Sequence, residues 1–459
     1  MLSTPIGTDA QESSNVSSKL EQVSFNSIRE VLPDRVIENA CRDGGYIYRQ
    51  RVLTPVVVVL HMILSAIWPD ESFQAGWHVL WDSAVGAFPS LQGRCPSSGS
   101  LAKARGRLPM ELWQQIWEFL SARVQELSEP FARWLGHRVI LVDGTCVSMP
   151  AAPGLFEQFG SSTGRGGTRH YPLARMVTVA LANTMAILAY AVGRYDQSEQ
   201  SLFRPLLGRL RKGDLLLADR AFAGANLYAE YLAAGLEFLT RVHQRLKVSR
   251  LRPLEGYGPT DFVTDLEIGK WHRRKDPTLP KTVRVRLIQA TVRIRGKREV
   301  TWFVTSLLDG AAYPAAQVVE LYVRRWRIET LFLQLKVRLS ADVLRSKTAA
   351  GVRKELCARM VAMNVVRAIL LEAAAQHGQD PMALSFVHAL RAILAFSPIL
   401  ATAPMWKLKT IYQAMLHEIA CHRTPFRPGR LEPRAVRREK KHYPRLRCTR
   451  DQWRQRIAA

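Results

Sequence analysis

The sequence predicts an α/β core set between helical flanks. Two apolar runs, RVILV (138–142) and LLLA (215–218), each lead straight into an aspartate, Asp143 and Asp219. Short continuous apolar runs are the pattern of strands buried on both faces. From about 237 to 306 basic and apolar residues alternate (FLTRV, TVRVRLIQATVRIR, EVTWFVTSL), as in strands with one buried and one positive face. Before 130 and after about 310 the apolar spacing is helical.

Taken in order, residues 1–24 are Ser-, Gln- and Glu-rich and are expected to be disordered. Residues 25–130 read as a helical domain. Asp34 stands at a helix start, an apolar run fills 54–68, and Pro109 marks a boundary before MELWQQIWEFL. Lys103, Arg105 and Arg107 are placed on the loop before that last helix, as either a solvated face or a DNA contact. The strand 138–142 is expected to end at Asp143. The following FGSSTGRGGTRHYP is a plain glycine-rich loop, because no Gly-Lys-Ser/Thr follows to make a phosphate loop. Residues 172–194 read as either one helix or a β-hairpin, and Val177, Val179, Ile187 and Val192 with a turn at Asn183 favour the hairpin. LLLA is a second strand ending at Asp219, and ANLYAEYLAAG is a helix closed by Gly235. Helices continue to about 375, and the region 376–459 ends in an Arg-rich basic tail.

The formal charge is +26. A field that basic argues for a polyanionic partner, most simply nucleic acid. The six cysteines are scattered without a C-x-x-C pair, so a zinc ribbon or a redox motif is not supported. They read as reduced thiols of a cytoplasmic protein. The N-terminus lacks the character of a signal peptide. The apolar runs 54–68 and 177–192 are shorter than the roughly 20 residues a spanning helix needs, so no membrane role is expected. In HEIACH (417–422) the histidines are one residue too far apart for the metalloprotease motif, which puts their rings on different helix faces.

The most informative stretch is YVRRWRIETLFLQLK (322–336). On an α-helix Tyr322, Arg325, Glu329 and Lys336 fall within a sector of roughly 60°. Ile328, Leu331, Phe332 and Leu335 form a core-facing stripe beside it. Alone, Arg325 and Glu329 could be an ordinary surface i,i+4 pair. Asp143 and Asp219 add a second reading. Carboxylates at strand ends sit at the open edge of an α/β sheet, where sites are built. With Glu329 they could form an oxygen-rich nest for hard cations such as Mg²⁺.

These segments resemble the DDE transposases of the insertion sequence 4 family. That family's signature spaces Tyr, Arg, Glu and Lys as Tyr322, Arg325, Glu329 and Lys336 are spaced here. VDGT (142–145) and LLLADRAF (215–222) are similar to the segments around its first and second Asp, and TSLLD (305–309) to the segment before its signature helix. The resemblance implies a ribonuclease H-like catalytic domain over 131–375, with a β-rich insertion at about 237–306 and a helical DNA-binding domain at 25–130. It implies Asp143, Asp219 and Glu329 as catalytic, metal-binding residues for two Mg²⁺ or Mn²⁺ ions, and Tyr322, Arg325 and Lys336 as phosphate-gripping residues. The implied activity is metal-dependent cleavage of transposon-end DNA and strand transfer to target DNA, by a homodimer bound to double-stranded terminal repeats. Some relatives cut through a hairpin and hold a flipped base on a Trp. The nearest here, Trp302, stands one residue out of step and reads as either a DNA clamp or core. Arg220, Arg324 and Arg327 flank the acids as DNA contacts or solubilising surface, and Trp326 reads as packing. A transposase-derived DNA-binding protein without catalysis is the alternative, which the presence of all three acids disfavours.

Overall fold

The computed structural model describes residues 26–48, 52–68, 77–78, 81, 95–131, 133–163, 169–294, 297–424 and 448–458. The expected disordered N-terminus, part of the glycine-rich loop and most of the basic tail lie outside the described residues. The chain divides into two compact units. One gathers residues from 1–127, 147–174 and 334–459, the other from 128–146 and 175–333.

The first unit is helical. It contains α1 (Asn26–Arg29), α2 (Asp34–Asp43), α3 (Pro55–Ile67), α4 (Ser98–Arg107) and α5 (Met110–Ser128, whose last residue enters the second unit). α3 forms where it does because the Thr54 hydroxyl accepts the Val57 N–H at 3.3 Å, and Pro55 suits the first helical position. Its apolar residues are buried on nearly every side. The long helix Ala349–Gln376 of the same unit is also buried almost all round and packs on α3. A helix apolar on all faces needs neighbours on all faces. N-terminal and C-terminal helices therefore share one unit, which the chain leaves after Leu127, close to the expected boundary at 130, and last re-enters at Gln334. Lys103, Arg105 and Arg107 also differ from expectation. They lie on α4, which Ser97 caps and which ends ahead of Pro109, and not on a loop. Among the described residues no helix is long and apolar enough to cross a membrane.

The second unit is built on a sheet. The strands of the chain are β1 (Val139–Ser148), β2 (Ser161–Thr163), β3 (Arg169–Leu181), β4 (Ile187–Arg194), β5 (Leu215–Ala218), β6 (Glu237–Arg241), β7 (Glu255–Gly258), β8 (Asp261–Glu267), β9 (Thr282–Ile294) and β10 (Lys297–Thr305). β2 and the start of β3 form a small antiparallel pair in the first unit. In the second unit the order is β3-β1-β5-β6-β10-β9-β8-β7, with β4 on β3 as the expected hairpin. β1, β5 and β6 are parallel, and β6 to β10 onward is antiparallel. The stretch beginning at 237 is thus not wholly an insertion, because its first strand, β6, completes the parallel trio.

β1 also runs further than expected. It passes through Asp143 to Ser148, although its pairing with β5 ends at Leu141. Buried ion pairs fix the sheet at two places. Arg138 makes two hydrogen bonds to Asp214, 2.7 and 2.6 Å, at the entry to β1 and β5. Arg286 on β9 does the same to Asp261 on β8, at 2.7 and 2.5 Å, and also donates to the Tyr313 carbonyl at 2.7 Å. Removing one partner of such a pair strands the other charge. Asp214→Ala should lower stability by about 3–5 kcal/mol in chemical unfolding. The double change Arg138→Met with Asp214→Leu should cost much less, since neither charge is then left alone.

Candidate active site

Asp143 and Asp219 are brought level by strand register. Leu141 pairs with Leu217 across the parallel β1–β5 ladder, and each aspartate lies two residues further on. Residues two apart share a face, and neighbouring strands are about 4.8 Å apart. The two carboxylates therefore emerge side by side where the ladder ends. Asp143 accepts the Gly144 N–H at 2.8 Å. Asp219 accepts the Ala221 N–H at 2.5 Å and caps the short 3-10 turn Arg220–Phe222.

The signature stretch is not one regular helix. An α-helix (Ala315–Val323) tightens to a 3-10 turn at Arg324–Trp326, returns to α over Arg327–Leu333 and widens to a π turn at Gln334–Arg338. Its apolar stripe is as expected: Ile328, Leu331, Phe332 and Leu335 are buried. The chemical stripe is not a wet surface at its start, because Arg325 is 7% exposed and Tyr322 4%. Arg325 places Nη1 3.7 Å from Asp143 Oδ2 and Nη2 3.6 Å from Glu329 Oε1. One guanidinium thus reaches two of the three predicted acids. It also lies over the Trp326 ring, 4.6 Å from its centroid, so Trp326 supports that arginine. Arg327 anchors the helix by donating to the Ala182 carbonyl at 2.7 Å, at the β3–β4 turn. Tyr322 packs its ring against Phe303 at 4.8 Å. No hydrogen bond of normal geometry satisfies the buried Tyr322 hydroxyl or Arg325 Nε.

Trp302 is half-buried and meets Phe262 edge-on at 5.8 Å. Strand alternation puts it on the face opposite Phe303, and so opposite Tyr322. Arg220 is exposed and Arg324 half-buried. Lys336 lies on the π turn, in the segment assigned to the other unit.

A fourth carboxylate joins the acids, one that no motif or spacing marks. Glu199 opens the short helix Glu199–Phe203 and packs against Gly144 so closely that a Cβ there would lie 2.3 Å from its Cδ. Only the fold brings it beside the VDGT segment. The crowding shows in the electrostatics. Burial pushes the Asp143 carboxyl up to about 6, and the charges of Asp219 and Glu199 add to the rise, while the Gly144 N–H and Arg325 oppose it. Glu199 is also raised, by burial first, with Asp219 adding to it and Arg175 opposing. Such a set of partly buried carboxylates, with one guanidinium shared between two of them, suits a hard divalent cation.

A buried carboxylate raised above its unfolded value binds a proton on folding, so folded stability from this group falls as pH rises from about 4 to about 6. Asp143→Asn should therefore stabilise the metal-free protein by roughly 1–2 kcal/mol at neutral pH. The gain should shrink as pH falls through about 6, where Asp143 takes up its own proton. Thermal melts of both proteins across this range would show it.

Residues 134–365 match the family described as Transposase DDE domain. The chain is 26% identical over 360 residues to the transposase InsG for insertion sequence element IS4 of Escherichia coli (strain K12), covering 77% of this chain and 80% of that one. Among solved structures it is similar to a piggyBac transposase in a synaptic complex with hairpin DNA, at TM-score 0.43 and 12% identity, over 92% of this chain and 86% of that one. The matched span holds the strands, the two aspartates and the signature stretch, and the chain belongs to the DDE transposase family.

Proposed function

We propose that this transposase cleaves DNA at the ends of a mobile element and joins the freed strands to target DNA, with Asp143, Asp219 and Glu329 holding the divalent cations of the reaction. The observation that carries this reading is the convergence of the three acids. Two are level on adjacent parallel strands, and Arg325 reaches from the first of them to Glu329. Two Mg²⁺ or Mn²⁺ ions bound there supply activation of the attacking oxygen and stabilisation of the leaving oxygen. In the first step a water oxygen bonds to phosphorus and the 3′ oxygen leaves. In the second that 3′ oxygen loses its proton and bonds to a target phosphorus, and the target strand's own 3′ oxygen leaves as a new 3′-OH. The parallel trio with acids at its ends supports a ribonuclease H-like core.

The remaining roles follow from charge and position. Arg325 orients Asp143 and Glu329, and its buried Nε, with the Tyr322 hydroxyl, retains hydrogen-bonding capacity for a phosphate. Lys336 and the exposed Arg220 supply further positive charge for the backbone of the transposon end. Trp302 fits a packing role better than a base clamp, since it rests on Phe262. The +26 charge fits double-stranded terminal repeats and target DNA, held by a homodimer in the synaptic complex.

Glu329→Ala should lower cleavage of a labelled DNA carrying the element's terminal repeat by at least about 10²-fold, with DNA binding retained. Tight binding with no cutting by the wild type, in Mg²⁺ and in Mn²⁺, would instead make the chain a DNA-binding protein. Gly144→Ala drives a methyl group into Glu199 and should displace it from the acids. Cleavage should fall about tenfold or more, with little change in melting temperature. Unchanged cleavage in both Gly144→Ala and Glu199→Gln would leave Glu199 without a part in the reaction.

A further inference from the structure

The helical unit contains a cluster that the DNA chemistry does not use. HEIACH offered no pair of histidines able to share an ion, and the structure draws a different set from it. The helices concerned are Phe386–Thr402 and Met405–Cys421. Glu418 and His422 stand four residues apart, one turn of helix, on the second of them and its C-cap. His388, in the first turn of the other helix, meets them from across the gap.

We propose that His388, Glu418 and His422 form a binding site for one divalent transition-metal ion of the zinc class, separate from the acids of the sheet. His388 Nε2 lies 3.2 Å from Glu418 Oε1, and His422 Nδ1 lies 3.5 Å from the same oxygen. All three donor atoms are within 4.8 Å of one another. Zinc binds imidazole nitrogen and carboxylate oxygen at about 2.0–2.2 Å, so two ligands of a tetrahedral ion stand roughly 3.3–3.5 Å apart. The two separations from Glu418 Oε1, 3.2 and 3.5 Å, are close to the edges of such a tetrahedron. Two neutral imidazoles and one carboxylate are borderline donors that suit zinc better than magnesium or calcium.

The backbone holds this arrangement without help from an ion. Leu384 and Arg423 form an antiparallel bridge. Ser385 N–H donates to the His422 carbonyl at 3.0 Å, and Thr424 N–H to the Ala383 carbonyl at 2.7 Å. The Ser385 hydroxyl then accepts the His388 N–H at 3.3 Å, which starts the helix carrying the first ligand. The two rings stack, with centroids 3.4 Å apart and 14° between planes, and each has a nitrogen near Glu418; an imidazole binds an ion in its ring plane, so binding requires the rings to swing out of the stack. His422 Nδ1 also lies 3.0 Å from the Glu418 carbonyl oxygen. Metal binding takes that ring in the tautomer with its proton on Nε2 and replaces the carbonyl contact. The side chains are 23% (His388), 43% (Glu418) and 48% (His422) exposed, so the fourth position opens to water. A bound ion would clamp the end of one helix to the start of the other.

The test uses the full-length chain, stripped with chelator and titrated with Zn²⁺ by calorimetry and with Co²⁺ by visible absorption. The expected result is one equivalent bound with a Kd below roughly 10 μM, a tetrahedral cobalt spectrum and a raised melting temperature. His388→Ala with His422→Ala should weaken binding at least about 100-fold. Glu418→Gln, which keeps the side chain's size, should weaken it in a protein whose circular dichroism is unchanged. Two variants should leave it intact: Asp143→Asn with Glu329→Ala, which removes catalytic acids, and Cys421→Ser, which removes the thiol 3.5 Å from His417 on the neighbouring helix face. The proposal is overturned by a wild type that binds no more tightly than roughly 100 μM. It is equally overturned by zinc binding that survives loss of the three ligands, or that disappears with the catalytic acids or with Cys421.

Discussion

The parallel ladder between β1 and β5 sets Leu141 beside Leu217, and from that register Asp143 stands beside Asp219. A slip of one residue would turn one aspartate to the other face of the sheet. The ladder is short, and its start is held by the buried Arg138–Asp214 pair, which tolerates no such slip because each charge would lose its partner. An ion pair at one end of two strands thereby fixes the spacing of two acids at the other.

Placing carboxylates side by side in a partly buried pocket is costly. The raised Asp143 and Glu199 carboxyls record that cost. Arg325 offsets part of it, lying between Asp143 and Glu329 while resting on Trp326. That position needs a bend of register. The turn of 3-10 helix at Arg324–Trp326 rotates each residue further than an α-helix does, and so brings Arg325 into the interior next to Tyr322. Arg327, spent on the Ala182 carbonyl, ties the same helix to the β3–β4 turn. On the proposed function the signature arginine is a positioning group for the acids as much as a reserve of positive charge.

The helical unit has a different logic. Its long central helix, Ala349–Gln376, is buried on nearly all sides, polar residues such as Arg359, Asn364 and Arg367 included, and is covered by α3 and by helices near the C-terminus. Segments far apart in the chain must meet to bury it, which is why the unit is assembled from both ends of the sequence. The same closing of helices brings His388 to Glu418 and His422.

Local pattern was enough for the strands around Asp143 and Asp219, for a hairpin favoured over a helix at β3–β4, for the buried stripe Ile328, Leu331, Phe332 and Leu335, and for the membership of the family. These are local matters of apolar periodicity and motif spacing, which a linear text carries. It also supplied the spacing of Tyr322, Arg325, Glu329 and Lys336, but a uniform helical wheel could not show that Arg325 is buried, since the helix changes pitch there. That β6 belongs to the parallel trio, that α4 rather than a loop carries Lys103, Arg105 and Arg107, and that N-terminal and C-terminal helices share a unit emerge only once the chain is folded. The tertiary structure alone brought Glu199 to Gly144 and set Trp302 against Phe262. The reason is common to most of these cases. Long-range pairing is governed by which surfaces must be buried together, and that demand leaves no periodic trace in the residues that happen to meet.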